Sequence, residues 1–140
     1  MKRCVIDASV IASSIFQEEL EEYSSALLAS DRVQMAPAIV IAEVGNVLWK
    51  RFCRQDINEV EAGKLLAGFL RLPLRITPSE NLIESALQIA MQFDRTTYDS
   101  LYVALAIKTD STMVTADKRL VNALAGSPLE KYVKWLGTVE

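Results

Sequence analysis

The stretch Arg3-Cys4-Val5-Ile6-Asp7-Ala8-Ser9-Val10-Ile11 decides the fold. It reads as a short apolar strand that halts at an acid and passes directly into a helix, expected to run to Phe16. The same unit recurs down the chain. Further apolar strands are expected at Val33 to Ala36, Leu74 to Thr77, Thr112 to Thr115 and Val133 to Leu136. One helix is expected from about Glu19 to Ala29. Another starts at Pro37, a favoured first helical residue, and runs to about Arg54. Asp56 with Glu59 reads as a capping box opening a helix to about Arg71. Thr77-Pro78-Ser79-Glu80 reads as a second, opening a helix to about Phe93. Asp99 and Asp117 open two more. Strands alternating with helices make an α/β fold with a mainly parallel sheet.

The 140 residues, 51% of them hydrophobic, suit one domain, 1–140, around one sizeable core. No apolar run is long and charge-free enough to cross a membrane. The start, Met1-Lys2-Arg3, meets Asp7 too early for a signal peptide, so a soluble, cytoplasmic protein is expected. Cys4 and Cys53 read as free thiols of a reducing compartment. There is no histidine, which removes Ser-His-Asp and Cys-His catalysis, histidine-based RNA cleavage and most zinc hydrolases. The five glycines are scattered, and no Gly-rich phosphate loop follows the first strand. Any hydrolysis therefore has to run on carboxylates and metal.

Four acids stand where acids are costly. Asp7 follows Cys4-Val5-Ile6, and Glu43 sits inside Ile39-Val40-Ile41-Ala42-Glu43-Val44. Asp99 opens Leu101-Tyr102-Val103-Ala104, and Asp117 follows Met113-Val114-Thr115-Ala116. A carboxylate beside a core has to be paired, protonated or metal-bound. Four such groups suggest one pocket for a hard divalent cation, which takes oxygen ligands. In open α/β sheets sites form at the carboxyl ends of strands, where Asp7 and Asp117 are expected. Each acid also has a plain structural explanation. Asp7, Asp99 and Asp117 each precede a helix and suit an N-cap; Glu43 caps nothing, and its alternative is a buried salt bridge.

Beside these acids, Ser9 and Thr115 are placed to orient a ligand or a water, or to bond their own backbone. Asn46, Lys50 and Arg54 continue the Glu43 stripe at helical spacing. Lys50 and Arg54, with Lys118 and Arg119, are candidate phosphate contacts, or ordinary solvated charges. Tyr98 and Tyr102 flank Asp99; both suit a core, and Tyr98 also suits the border of a substrate groove. Leu65, Leu66 and Phe69 suit either the core or a contact face. The net charge of −3 becomes a slight positive balance once four carboxylates and two divalent cations are set against each other, so a polyanionic substrate is not excluded.

Four blocks now stand in order: Val5-Ile6-Asp7-Ala8-Ser9; Pro37 to Glu43-Val44, then Asn46-Val47-Leu48; Thr97-Tyr98-Asp99-Ser100-Leu101-Tyr102, then Ala104-Leu105-Ala106; and Val114-Thr115-Ala116-Asp117-Lys118-Arg119-Leu120. Together they resemble the PIN-domain family, most closely the small VapC-type toxins of bacterial and archaeal toxin–antitoxin pairs. The resemblance spans nearly the whole chain. It implies a PIN-like three-layer sandwich: a parallel five-stranded sheet in order 3-2-1-4-5, flanked by helices. It implies an endoribonuclease that uses one or two Mg²⁺ or Mn²⁺ ions held by Asp7, Glu43, Asp99 and Asp117. RNA as substrate, a cognate antitoxin and a homodimer are implied likewise. Ser100 departs from the alanine of many relatives. Rival readings are a non-catalytic PIN-like module that binds nucleic acid or protein, and a metal nuclease directed at DNA. A receiver domain or an Asp-x-Asp phosphatase does not match Asp7-Ala8-Ser9.

Overall fold

A computed structural model of the chain describes residues 2–139. Five strands, β1 (Arg3–Ile6), β2 (Val33–Pro37), β3 (Arg75–Thr77), β4 (Thr112–Thr115) and β5 (Val133–Trp135), form one sheet. Its order is β3-β2-β1-β4-β5, and every neighbouring pair is parallel. This is the expected topology. In the centre, Val5 pairs with Met35 on one side and Met113 on the other. Cys4, Val5 and Ile6 have no exposed surface, because helices cover both faces of a parallel sheet.

Those helices are α1 (Ala8–Ile15), α2 (Glu21–Ala29), α3 (Ile39–Cys53), α4 (Glu59–Leu70), α5 (Ile83–Phe93), α6 (Thr97–Lys108) and α7 (Lys118–Leu124). α1 packs on α2 and α3, and α3 on α4; α5 packs on α6, which lies against β1 and β2. Right-handed crossovers put connections running in opposite directions along the sheet on opposite faces. The chain goes outward from β1 to β3, then crosses to β4. β1 and β4 therefore flank the point where strand order reverses, and the crevice at their carboxyl ends is the natural place for a site.

The starts of α3, α4 and α5 differ from expectation. Pro37 closes β2 opposite Thr77 instead of opening α3, which begins at Ile39. Proline tolerates a strand's end because it has no N–H to give the ladder. The box that opens α4 is Asn58 with Glu61, not Asp56 with Glu59: Asn58 Oδ1 accepts from Glu61 N at 2.8 Å and Glu61 Oε1 from Asn58 N at 3.1 Å. Asp56 instead pairs with Arg51 and Arg54. Thr77 caps nothing, since it lies in β3 with its carbonyl taken by Ala38 N at 2.9 Å; a 3-10 turn, Ser79–Asn81, separates it from α5.

Phe69 is buried, and Leu65 and Leu66 pack partly against the core, so these three are core residues. Both cysteines are free; Cys4 is buried, and burial pushes its thiol up to about 11. Among the described residues no helix is long and apolar enough to cross a membrane.

Candidate active site

Asp7 is the first residue after β1 and the N-cap of α1. Its Oδ1 accepts from Ser9 N (3.1 Å), Val10 N (3.2 Å) and Ser9 Oγ (2.5 Å). Its Oδ2 accepts from Thr115 Oγ1 at 2.6 Å. Capping therefore engages one oxygen, and the end of β4 reaches the other. Thr115 is itself fixed, since its hydroxyl accepts from Asp117 N at 3.0 Å. Ser9 Oγ accepts from Ala116 N at 2.9 Å, a second tie between the two strand ends. Both hydroxyls thus bond Asp7, and of the two only that of Thr115 also bonds local backbone, at Asp117 N.

No lysine or arginine pairs with Asp7 among the described residues. Burial, the dominant cause, pushes its carboxyl up to about 6; the bonds from Ser9, Thr115 and Val10 oppose this, and the charge of Glu43 adds to it. Glu43 is half-buried on α3, and no salt bridge holds it among the described residues. Instead Tyr102, from α6, donates its hydroxyl to Glu43 Oε1 at 2.5 Å. Burial raises the Glu43 carboxyl, that hydrogen bond lowers it, and the charge of Asp99 raises it again. Tyr102 is 2% exposed, and burial and then the bond to Glu43 raise its phenol far above the usual range.

Asp99 does not cap α6. Thr96 does, accepting from Asp99 N at 3.1 Å, and Asp99 is the third helical residue. Its carboxylate is thereby left without a capping role. Burial and then the charge of Asp117 raise it, while Arg95 and Thr96 lower it. Asp117 caps α7, accepting from Arg119 N at 3.0 Å. Repulsion thus links Asp7 to Glu43, Glu43 to Asp99 and Asp99 to Asp117. The four acids are neighbours in one electrostatic unit. As they stand, no three acidic, thiol or imidazole side chains among the described residues form a ready cage for a metal ion. All the donors the unit offers are oxygens, the kind that Mg²⁺ and Mn²⁺ accept.

Beside Glu43 lies a hollow of about 380 Å³ lined by Ala8, Ile39, Ala42, Asn46, Val47, Lys50 and Tyr98. Asn46 and Lys50 therefore share a space with a candidate catalytic acid. The other cations do not line it. Arg54 pairs with Asp56 at 3.5 Å, Lys118 stands 4.4 Å over the Trp135 ring, and Arg119, whose side chain is 94% exposed, pairs with Asp117 at 3.6 Å. Ser100, fully buried, satisfies its hydroxyl on Thr96 O at 2.8 Å. Sequence reading treated Tyr102 as simple core. Its position three residues after Asp99, which puts both on one helix face, was the available signal.

The sequence profile described as the PIN domain matches residues 4–125. Ribonuclease VapC1 of Mycobacterium tuberculosis is 32% identical over 131 residues, covering 93% of this chain and 96% of its own. A crystal structure from Pyrobaculum aerophilum superposes with a TM-score of 0.71 at 21% identity, over 97% of this chain and 85% of that one. A toxin–antitoxin complex from Klebsiella pneumoniae gives 0.61 at 16% identity, over 94% and 95%. With most of its length matched, from β1 through α7, the chain belongs to the PIN-domain family.

Proposed function

We propose that this chain is a divalent-metal-dependent endoribonuclease and the toxin of a toxin–antitoxin pair. The observation that carries the reading is Asp7: a buried carboxylate at the sheet's switch point, without a cationic partner among the described residues and coupled to a chain of three more acids. A structural protein gains nothing from such repulsion. The similarity to a ribonuclease of M. tuberculosis supports RNA as substrate.

Asp7, Glu43, Asp99 and Asp117 would hold one or two Mg²⁺ or Mn²⁺ ions. Such an ion supplies an activated water at neutral pH without histidine and neutralises charge gathering on the phosphate. The chain's own groups position the rest. Ser9, Val10 and Thr115 fix both oxygens of Asp7, so it does not swing. Tyr102 fixes one oxygen of Glu43, leaving the other for a ligand or water. Lys50 offers a positive charge for phosphate on the same hollow. In-line attack by water leaves a 5′-phosphate and a 3′-hydroxyl.

A cognate antitoxin as partner is supported by the similarity to the Klebsiella pneumoniae complex. A homodimer belongs to the same proposal, and sedimentation of the purified chain tests it.

The deciding experiment is cleavage of a mixed RNA pool in Mg²⁺ or Mn²⁺ by the chain and by Asp99→Asn prepared identically, with a DNA pool alongside. Metal-dependent RNA cleavage lost in the variant, with 5′-phosphate ends, is expected. A 2′,3′-cyclic phosphate, or equal cutting by both proteins, overturns the reading. Cutting of DNA alone assigns the site to the rival nuclease.

A further inference from the structure

The hollow beside Glu43 has a composition that the metal site does not explain. Its walls are Ala8, Ile39, Ala42 and Val47, all apolar. On its rim stands Tyr98, 62% exposed. A surface aromatic of that size is ordinary on its own, but this one is mounted rigidly. It is the second residue of α6, two positions after the Thr96 cap and directly before Asp99. Asn46 offers an amide that makes no hydrogen bond among the described residues, and Lys50, one turn further along α3, is in no ion pair among them. Three larger hollows, about 490 Å³ beside Tyr23, about 560 Å³ beside Phe52 and about 500 Å³ beside Lys134, contain none of the four acids.

An apolar cleft with one exposed aromatic face, one free amide and one cation matches a nucleotide part by part. The ring stacks on a base, the amide pairs with the base edge, and the ammonium meets a phosphate. Its volume lies within the roughly 300–1,000 Å³ that ligand pockets span. A base inside an A-form helix cannot reach such a cleft, because its faces are stacked and its edge is paired. A base splayed from a single strand can. Because Glu43 lines the same hollow, that base has to lie close to the phosphate being cut.

We propose that this hollow binds one unpaired base of the RNA substrate, flanking the scissile phosphate, with Tyr98 as its stacking platform and Asn46 as the reader of its edge. The inference rests on the nuclease reading and deepens it. Sequence preference then resides at one nucleotide and is set by α3 and the first turn of α6. The four carboxylates act on the phosphate whatever the base.

The test uses the full chain with short single-stranded RNAs carrying 2-aminopurine at successive positions, in Ca²⁺, together with cleavage of a randomised RNA pool in Mn²⁺. Stacking on Tyr98 is expected to quench the fluorescence at one position. Tyr98→Ala is expected to abolish that quench and weaken binding about tenfold, with Tyr98→Trp restoring both. Since Tyr98 is largely exposed, its loss leaves the core intact. Asn46→Ala is expected to flatten the base preference at one position beside the cut and nowhere else. Metal-dependent cutting with no quench, or with quench and preference indifferent to Tyr98 and Asn46, overturns the base site and leaves the nuclease reading standing; the hollow then belongs to a protein partner. A Tyr98-dependent quench without cutting keeps the base site and overturns the nuclease reading. Neither quench nor cutting overturns both.

Discussion

Thr115 Oγ1 donates to Asp7 Oδ2 at 2.6 Å across 108 positions of sequence, and accepts from Asp117 N at 3.0 Å. One hydroxyl thereby registers the ends of β1 and β4. Thr115→Val keeps the shape and removes the hydroxyl. It leaves Asp7 short of a donor and the Asp117 amide short of an acceptor. The expected cost is about 1–3 kcal/mol in a urea melt, with most cleavage lost, and Thr115→Ser is expected to restore both. An unchanged Asp7→Asn background, in which Thr115→Val still costs the same, would show that the bond contributes little.

Asp7 makes stability depend on pH in a defined direction. Its carboxyl sits near about 6 in the folded chain against 3.8 as the reference value. A raised value means that the folded state prefers the protonated acid. The stability is full below about pH 4 and falls as pH rises through 6, by on the order of 3 kcal/mol. Asp7→Asn removes that titration. Its amide must face the Thr115 hydroxyl, which already accepts from Asp117 N, so part of the gain is offset. In chelator at pH 8 the variant is expected to be more stable by about 1–2 kcal/mol, with the advantage gone at pH 4. Parallel pH–stability curves for the two proteins would contradict this account.

Glu43→Gln and Tyr102→Phe separate charge from position. The glutamine still offers Tyr102 a carbonyl oxygen, so stability is expected to hold while cleavage is lost. The phenylalanine keeps the packing and frees the Glu43 side chain. It is expected to lower cleavage and cost about 1 kcal/mol. Denaturation and initial rates read both, and full activity in either variant removes Glu43 or its tether from the mechanism.

The cap of α6 is Thr96, so Thr96→Ala is expected to cost about 1 kcal/mol. Asp99→Asn keeps the cap and relieves repulsion from Asp117, so it is expected to match or exceed the parent's melting temperature in chelator. A large loss of stability in Asp99→Asn would reassign that acid to a structural role.

Mn²⁺ is expected to stabilise the fold by mass action, by about 2.7 kcal/mol at one hundred times its dissociation constant, and so to raise the melting temperature. Asp99→Asn and Asp117→Asn are each expected to lose most of that gain. Identical shifts in parent and variants would place the cation elsewhere.

The sheet was legible because its strands are short, apolar and bounded by helices. Cys4-Val5-Ile6, halted at Asp7 and followed by Ala8-Ser9-Val10, reads as a strand passing into a helix. The helix starts were harder to read because caps are degenerate. Asp56, Asn58, Thr77 and Asp99 all suit an N-cap locally, and tertiary demands chose among them: Arg51 and Arg54 claim Asp56, the β3 ladder holds Thr77, and Thr96 precedes Asp99 at the right spacing. The four acids stood out by their apolar neighbours. Tyr102 was hidden among residues that are also buried, since the partner of its hydroxyl is 59 positions away and only its spacing from Asp99 marks it locally.

The strand that carries Asp7 lies between β2 and β4. During synthesis, β1 and β2 emerge long before β4, so the growing polypeptide holds one half of the acidic set while the opposite half is still inside the ribosome. The set of four carboxylates is complete only after β4 has joined β1, so no shortened chain that lacks β4 holds the whole of it.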